Sequence, residues 1–116
     1  MSYFLISPIQ AIPPVQEVGH PVMVIADFRN ILTGALAAPG TTISIEITGP
    51  DGAVTTYGVA YTNMTADTTV GRYYYVFVTT AATSPGVYIV RCRCVDGGNT
   101  SKSAPPQTTF TMVTAP

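Results

Sequence analysis

Arg91-Cys92-Arg93-Cys94 is the densest run of reactive side chains in this 116-residue sequence, with two thiols interleaved between two guanidinium groups. A thiol beside positive charge loses its proton more readily and becomes a nucleophile or metal ligand, so the run would suit redox or covalent chemistry if all four side chains met. In an extended strand they do not meet. Side chains at i and i+2 share a face and neighbours point to opposite faces. Cys92 and Cys94 therefore stand on one side, roughly 6.5 Å or more apart and unable to bridge each other, while Arg91 and Arg93 stand on the other. A charge is seldom buried unpaired, which turns the arginines outward and leaves Tyr88, Val90, Cys92 and Cys94 as the core set, the thiols acting as small hydrophobes.

The remaining candidates for chemistry are isolated. His20, the single histidine, precedes Pro21 with no Cys, Asp or Glu at a metal-ligand spacing, and reads as a turn residue. Glu17, Asp27, Glu46, Asp51, Asp67 and Asp96 are scattered singly. Asp27 and Asp96 fall near strand ends; meeting in space, they would form a pair suited to acid/base work or calcium, and the plainer alternative is that they cap turns or pair with Arg29, Arg72 or Arg91. There is no glycine-rich phosphate loop before a helix and no Cys/His zinc spacing. The expectation is a non-enzymatic protein with no catalytic, cofactor-binding or metal-binding residue.

Composition bounds the class. Apolar residues make up 47% of the chain, enough to fill one core, and charged residues only 9%, against about 25% in an average domain. That balance excludes disorder and predicts a surface of Thr, Ser, Ala, Gly and Gln. The net charge of -1 and the lack of a basic cluster beyond Arg91/Arg93 predict no nucleic-acid partner. No disulfide is expected, and the opening Met-Ser-Tyr-Phe-Leu-Ile has no basic n-region and is interrupted by Pro8, Gln10 and Pro13-Pro14. Synthesis in a cytoplasm without an export signal, and no membrane association, are the expectations. The triplets Asn63-Met64-Thr65 and Asn99-Thr100-Ser101 match a glycosylation pattern that has no consequence there.

The elements that position these residues read as β-strands. Residues 1–14 carry three prolines and predict an N-terminal arm or edge strand at Tyr3 to Ile6, followed by an extended connector over Pro8 to Pro14. Either Phe4 and Ile6 tuck onto the domain's own edge or the arm docks on a neighbouring subunit. Residues 15–116 then form the domain, opening on a short strand over Val15 to Val18 that Gly19 ends. Val22, Val24, Ala26 and Phe28 line one strand face and Met23, Ile25 and Asp27 the other, also largely apolar, so this strand is either covered on both sides or meets a partner with its outer face. Thr41 to Thr48 alternates Ile43, Ile45 and Ile47 with polar residues, and Gly49-Pro50-Asp51-Gly52 turns the chain back toward Val54 to Tyr61. Phe28 to Thr41 is either a crossover with Ile31, Leu32 and Leu36 folded over the core's end or an exposed working loop.

Arg72 to Asp96 holds two long β-prone runs, read as consecutive antiparallel strands forming a hairpin or a crossover pair, with Ser84-Pro85-Gly86 between them. Asp96-Gly97-Gly98-Asn99 ends the second run and Asn99 to Pro106 reads as a loop. Thr108, Phe110 and Met112 line the last strand. The fold class is therefore all-β, a sandwich of seven or eight antiparallel strands in two sheets. Tyr3, Phe4, Ile31, Leu32, Leu36, Tyr74, Arg91 and Arg93 are the expected partner contacts, the last three on one outward face of the central pair.

Val18-Gly19-His20-Pro21-Val22, Gly49-Pro50-Asp51-Gly52, Gly71-Arg72-Tyr73-Tyr74-Tyr75, Ser84-Pro85-Gly86-Val87-Tyr88-Ile89-Val90-Arg91 and Thr109-Phe110-Thr111-Met112 follow one another in an order that resembles the small immunoglobulin-like domains of bacteria and of tailed-phage virion proteins. The resemblance spans about Val15 to Val113. It implies an immunoglobulin-like β-sandwich without that family's core Trp and disulfide. It also implies a virion component (head decoration, neck or tail accessory) made and assembled in the bacterial host cytoplasm, whose partners are a capsid, neck or tail protein and further copies of itself. The alternative it carries is a bacterial Ig-like protein-binding or carbohydrate-binding module. It supplies no catalytic or ligand residues.

Overall fold

The computed structural model describes residues 3–103 and 108–114, which form ten strands in two sheets. These are β1 (Phe4–Ile12), β2 (Val15–Glu17), β3 (Val22–Asn30), β4 (Ile43–Thr48), β5 (Val59–Asn63), β6 (Thr65–Ala66), β7 (Arg72–Phe77), β8 (Gly86–Asp96), β9 (Asn99–Lys102) and β10 (Thr108–Val113). One sheet has the order β1-β3-β7-β6; the other has β2-β10-β8-β4-β5, with β9 beside β8. The all-β sandwich holds, with more strands than expected. It is not wholly antiparallel, because β2 runs parallel to β10 in the register Val15 to Thr111.

The inward faces are the ones the alternation picks out. Val22, Val24, Ala26 and Phe28 of β3, Ile45 and Ile47 of β4, and Tyr88, Val90, Cys92 and Cys94 of β8 are all fully buried. Phe110 and Met112 of β10 join them. Tyr88 stacks on Phe110 at 5.1 Å between ring centroids and Phe77 tilts against both, so one aromatic cluster bridges the sheets. Pairs of this kind contribute about 1 kcal/mol beyond their buried area. The Tyr88 hydroxyl donates to the Ser84 carbonyl at 2.6 Å, pinning the start of β8 to the turn before it.

Several local expectations change. Pro8 does not end the N-terminal strand: β1 runs to Ile12 along the outer edge of β3, with a register shift between Ile6 and Ile9 that accommodates a residue lacking an N–H. Residues 54–58 form no strand, so the return after Gly52 begins only at Val59. Met64, buried, carries the chain from β5 in one sheet into β6 in the other. The Arg72 to Asp96 stretch is a crossover and not a hairpin, since β7 pairs with β3 and β6 while β8 pairs with β4, β9 and β10. Asp96-Gly97-Gly98-Asn99 is itself a hairpin turn and not a break into loop. Gly97 and Gly98 adopt φ of 56° and 87°, the double positive φ of a two-residue hairpin, and β9 returns along β8. Of that expected loop, residues 104–107 lie outside the described residues.

Candidate functional site

The thiols lie in the core, away from both arginines. Burial alone pushes Cys92 up to about 12, and burial outweighs hydrogen bonding from Ser101 to push Cys94 up to about 11. A thiol held protonated in this way is a poor nucleophile at neutral pH. His20 sits exposed after the β2–β3 turn, where its backbone carbonyl accepts a hydrogen bond from Thr79 at 2.7 Å. Among the described residues no group of three His, Cys, Asp or Glu side chains is placed to hold a metal ion, and no helix is long and apolar enough to cross a membrane.

Arg91 and Arg93 share the outer face of the six-stranded sheet. They stand opposite Glu46 and Ser44 on β4. The Arg91 guanidinium reaches Glu46 at 3.4 Å and donates to the Thr48 hydroxyl at 3.1 Å; Arg93 donates to Ser44 at 3.2 Å and lies 3.8 Å over the Tyr61 ring of β5. The arginine stems cover Ser44 and Thr48, which is why these polar residues are buried on an outer face. Tyr61 is raised by burial first and by Glu46 second, against the opposing pull of Arg93 and Arg91. Its stacking role went unread in the sequence, although the alternation of β4 had already turned Glu46 and Ser44 to that side.

Tyr74 is not part of this face. β7 belongs to the four-stranded sheet, where Tyr74 stands beside Ile25 and Thr65. Because Tyr73 and Phe77 point into the core, Tyr74 points away from it, and its face and the Arg91/Arg93 face lie on opposite sides of the sandwich. The expectation of one surface joining all three is corrected by the crossover. Asp27 and Asp96 also part company. Asp27 pairs with Arg72 and Arg29 on the four-stranded sheet, whereas Asp96 accepts the Gly40 N–H at 2.7 Å.

Tyr3 and Ile31 do come together, with Leu32 next in the turn. The Ile31 N–H donates to the Tyr3 carbonyl at 3.3 Å, setting the start of the chain beside the turn that follows β3. The three side chains are 55%, 57% and 89% exposed, so Ile31 and Leu32 are not folded over the core's end. Leu36, half-buried, makes an isolated bridge back to Arg29. Phe4, expected as a contact, is buried in this chain's own core with Ile6 and cannot touch a partner without leaving it. Its N–H donates to Ser101 of β9, so β1 closes over the far sheet as well as its own.

No protein-family model matches the chain, and no curated protein sequence does. Among solved structures, a DUF4785 family protein from Legionella pneumophila is similar, with a TM-score of 0.53 and 8% identity. The likeness is one of fold alone. It covers 90% of this chain and 27% of that one, so the chain spans about a quarter of the protein it matches.

Proposed function

We propose that this is an immunoglobulin-like contact module, without enzymatic activity, that serves as a phage virion component at a head-decoration, neck or tail-accessory position. Two features of the fold support the family reading beyond the motif order of the sequence. The orders β1-β3-β7-β6 and β10-β8-β4-β5 correspond to the two-sheet arrangement of that family. The Tyr88 hydroxyl bond to Ser84, at the corner leading into β8, corresponds to its tyrosine corner. Val90, two residues on, then stands where antibody domains place a cysteine, and the aromatic cluster of Phe77, Tyr88 and Phe110 takes over the pinning of the two sheets.

The observation that carries the contact role is the apolar tip of Tyr3, Ile31 and Leu32. Three large exposed side chains, two of them on residues joined by a backbone hydrogen bond and the third next in the turn, cost free energy in water that a protein partner would recover. The test is co-sedimentation with purified particles of the phage whose genome encodes the chain, using the protein and its Ile31→Glu, Leu32→Glu variant. Binding by the parent and its loss in the variant are expected. A strict monomer by light scattering that does not co-sediment, or a variant that binds as well as the parent, would overturn the reading.

A further inference from the structure

The side of the sandwich between β5 and β7 is open along half its length. Met64 ties the two sheets together where β5 passes into β6. Beyond that tie the sheets part, leaving a groove of about 490 Å³ between Tyr57–Val59 and Tyr75–Val78, with Thr80 and Thr83 at its end. β6 lies beside Tyr73 and Tyr74 only, so among the described residues no strand flanks the rest of that edge of β7.

Backbone direction shows what this edge presents. The Gly71 carbonyl accepts from Phe28 of β3, and the Arg72 carbonyl accepts from the Asp67 N–H on the other side. In an antiparallel ladder these directions alternate, so Tyr73, Tyr75 and Phe77 bond to β3 while the N–H and C=O of Val76 point into the groove. Side chains supply a second requirement. Ile12, Met23 and Val76 are opposite one another across β1, β3 and β7 and all three are exposed, making an apolar row that ends at the groove. On the inner side, Tyr57, Val59 and Tyr75 are half-buried against the core and Phe77 is buried. No charged residue lines the groove.

We infer that this edge is a strand-acceptor site, which takes an extended, uncharged segment of another protein as an added strand in line with β6. Its backbone pairs with the N–H and C=O of Val76. Its central residue lengthens the Ile12, Met23, Val76 row, and the residues on either side of that one enter between the sheets over Tyr57 and Phe77, so three consecutive apolar residues are required. The β7 edge of a second copy is not the occupant: two such edges brought together about a two-fold axis at Val76 would overlap only from Tyr75 to Phe77 before meeting each other's β6. The site is separate from the Tyr3, Ile31, Leu32 tip and stands independently of the virion reading.

The probe is a pool of acetylated, amidated heptapeptides whose three central positions are drawn from Val, Ile, Phe and Tyr, flanked on each side by Ser-Thr. A matching pool carries Lys at the centre, and a third carries N-methylated backbone amides. Amide exchange and chemical shifts of the full chain are the readout. The Val76 amide should exchange freely alone and slow at least about tenfold with the apolar pool, and not with the Lys or N-methyl pools. Val76→Pro, which removes the edge N–H, should abolish the effect; should it fail to fold, Val76→Lys serves as the second variant. Shifts absent from Tyr75 to Val78, equal responses to all three pools, or a Val76 amide already protected in the free protein would overturn the site. Protection that grows with protein concentration alone would overturn the assignment of its occupant to another protein.

Discussion

Arg72 on β7 stands directly opposite Asp27 on β3 and grips its carboxylate with two hydrogen bonds, of 2.8 and 3.2 Å. Asp27 is only 4% exposed on an outer sheet face, because Arg72 and Arg29 lie over it. The same bond raises Arg72 above the ordinary arginine value, mainly through hydrogen bonding to Asp27. Removing the cap would leave a desolvated charge with Arg29 alone, 3.8 Å away. Solvent screens the part-exposed Arg72 side chain, so Arg72→Met should lower the urea midpoint, by less than the loss of one partner from a fully buried pair would. Asp27→Asn should lose a similar amount and the double variant little more than either alone. Additive losses would mean the two residues act separately.

Tyr88→Phe keeps the ring stacked on Phe110 and deletes only the bond to the Ser84 carbonyl. The half-buried Ser84 carbonyl can then be solvated, so the loss should be near that of one hydrogen bond, about 1 kcal/mol, or about 4 °C in Tm. Tyr88→Ala, which also empties the centre of the cluster, should cost about 3–5 kcal/mol. Equal losses in the two variants would place the whole contribution in the hydroxyl.

The thiols give an alkaline signature. Cys92 ionises near 9 when unfolded and is pushed up to about 12 in the fold, so between those values the native state holds a proton that the unfolded chain has released. Stability is therefore fully present below about pH 9 and falls as pH rises toward 12, with Cys94 adding to the slope in the same direction. Burial raises Tyr88 and Tyr73 likewise, which steepens the fall above the ordinary phenol value of 10. Denaturation midpoints from pH 8 to 11 should fall, and fall less in Cys92→Ala, Cys94→Ala. At pH 8 a thiol reagent should label the native protein only at its unfolding rate.

The fold was legible where one face of a strand meets the core and the other does not. Alternation in Ile43 to Ile47 identifies a buried set, the charges of Arg91 and Arg93 fix which face of β8 turns outward, and in Val22 to Phe28 alternation separates two faces without choosing between them, because Met23 and Ile25 are apolar too. Pairing partners were not legible, because periodicity is blind to which strand lies alongside. Tyr74 was thus grouped with Arg91 and Arg93 across a crossover that puts them on opposite sides. Val15 to Val18 reads as a short strand, but nothing in it names β10 as a parallel partner, and β6, at two residues, is too short to carry any periodic pattern. Pro8 and Gly97-Gly98 were read as breaks when one sits in an edge strand and the other closes a hairpin. Of the contact candidates, Tyr3, Ile31 and Leu32 are exposed together, whereas the open edge of β7 left no mark in the sequence, since it arises from where β6 stops.

Two glycines with nearly the same φ separate conformational cost from steric cost. Gly71 (φ 85°) and Gly98 (φ 87°) both occupy the left-handed region. A side chain at Gly98 would meet nothing within 4 Å, and the hairpin tip tolerates Asn, so Gly98→Asn should change stability by about 0.5 kcal/mol or less. At Gly71 a Cβ would sit 2.7 Å from the Ala37 nitrogen and 2.9 Å from the Phe28 oxygen, both backbone atoms. Those atoms hold the β3 end to the connection that crosses to the second sheet, through the Phe28 N–H to Gly71 and the Ala37 N–H to Phe28. Gly71→Ala must therefore pay the left-handed penalty and also push two hydrogen-bonded segments apart, for a loss of about 3 kcal/mol by chemical denaturation. The displacement should also reach the Tyr3, Ile31, Leu32 tip through the shared end of β3, appearing as chemical-shift changes there that Gly98→Asn does not produce. Equal effects of the two substitutions would show that backbone conformation, and not packing against Ala37 and Phe28, governs Gly71.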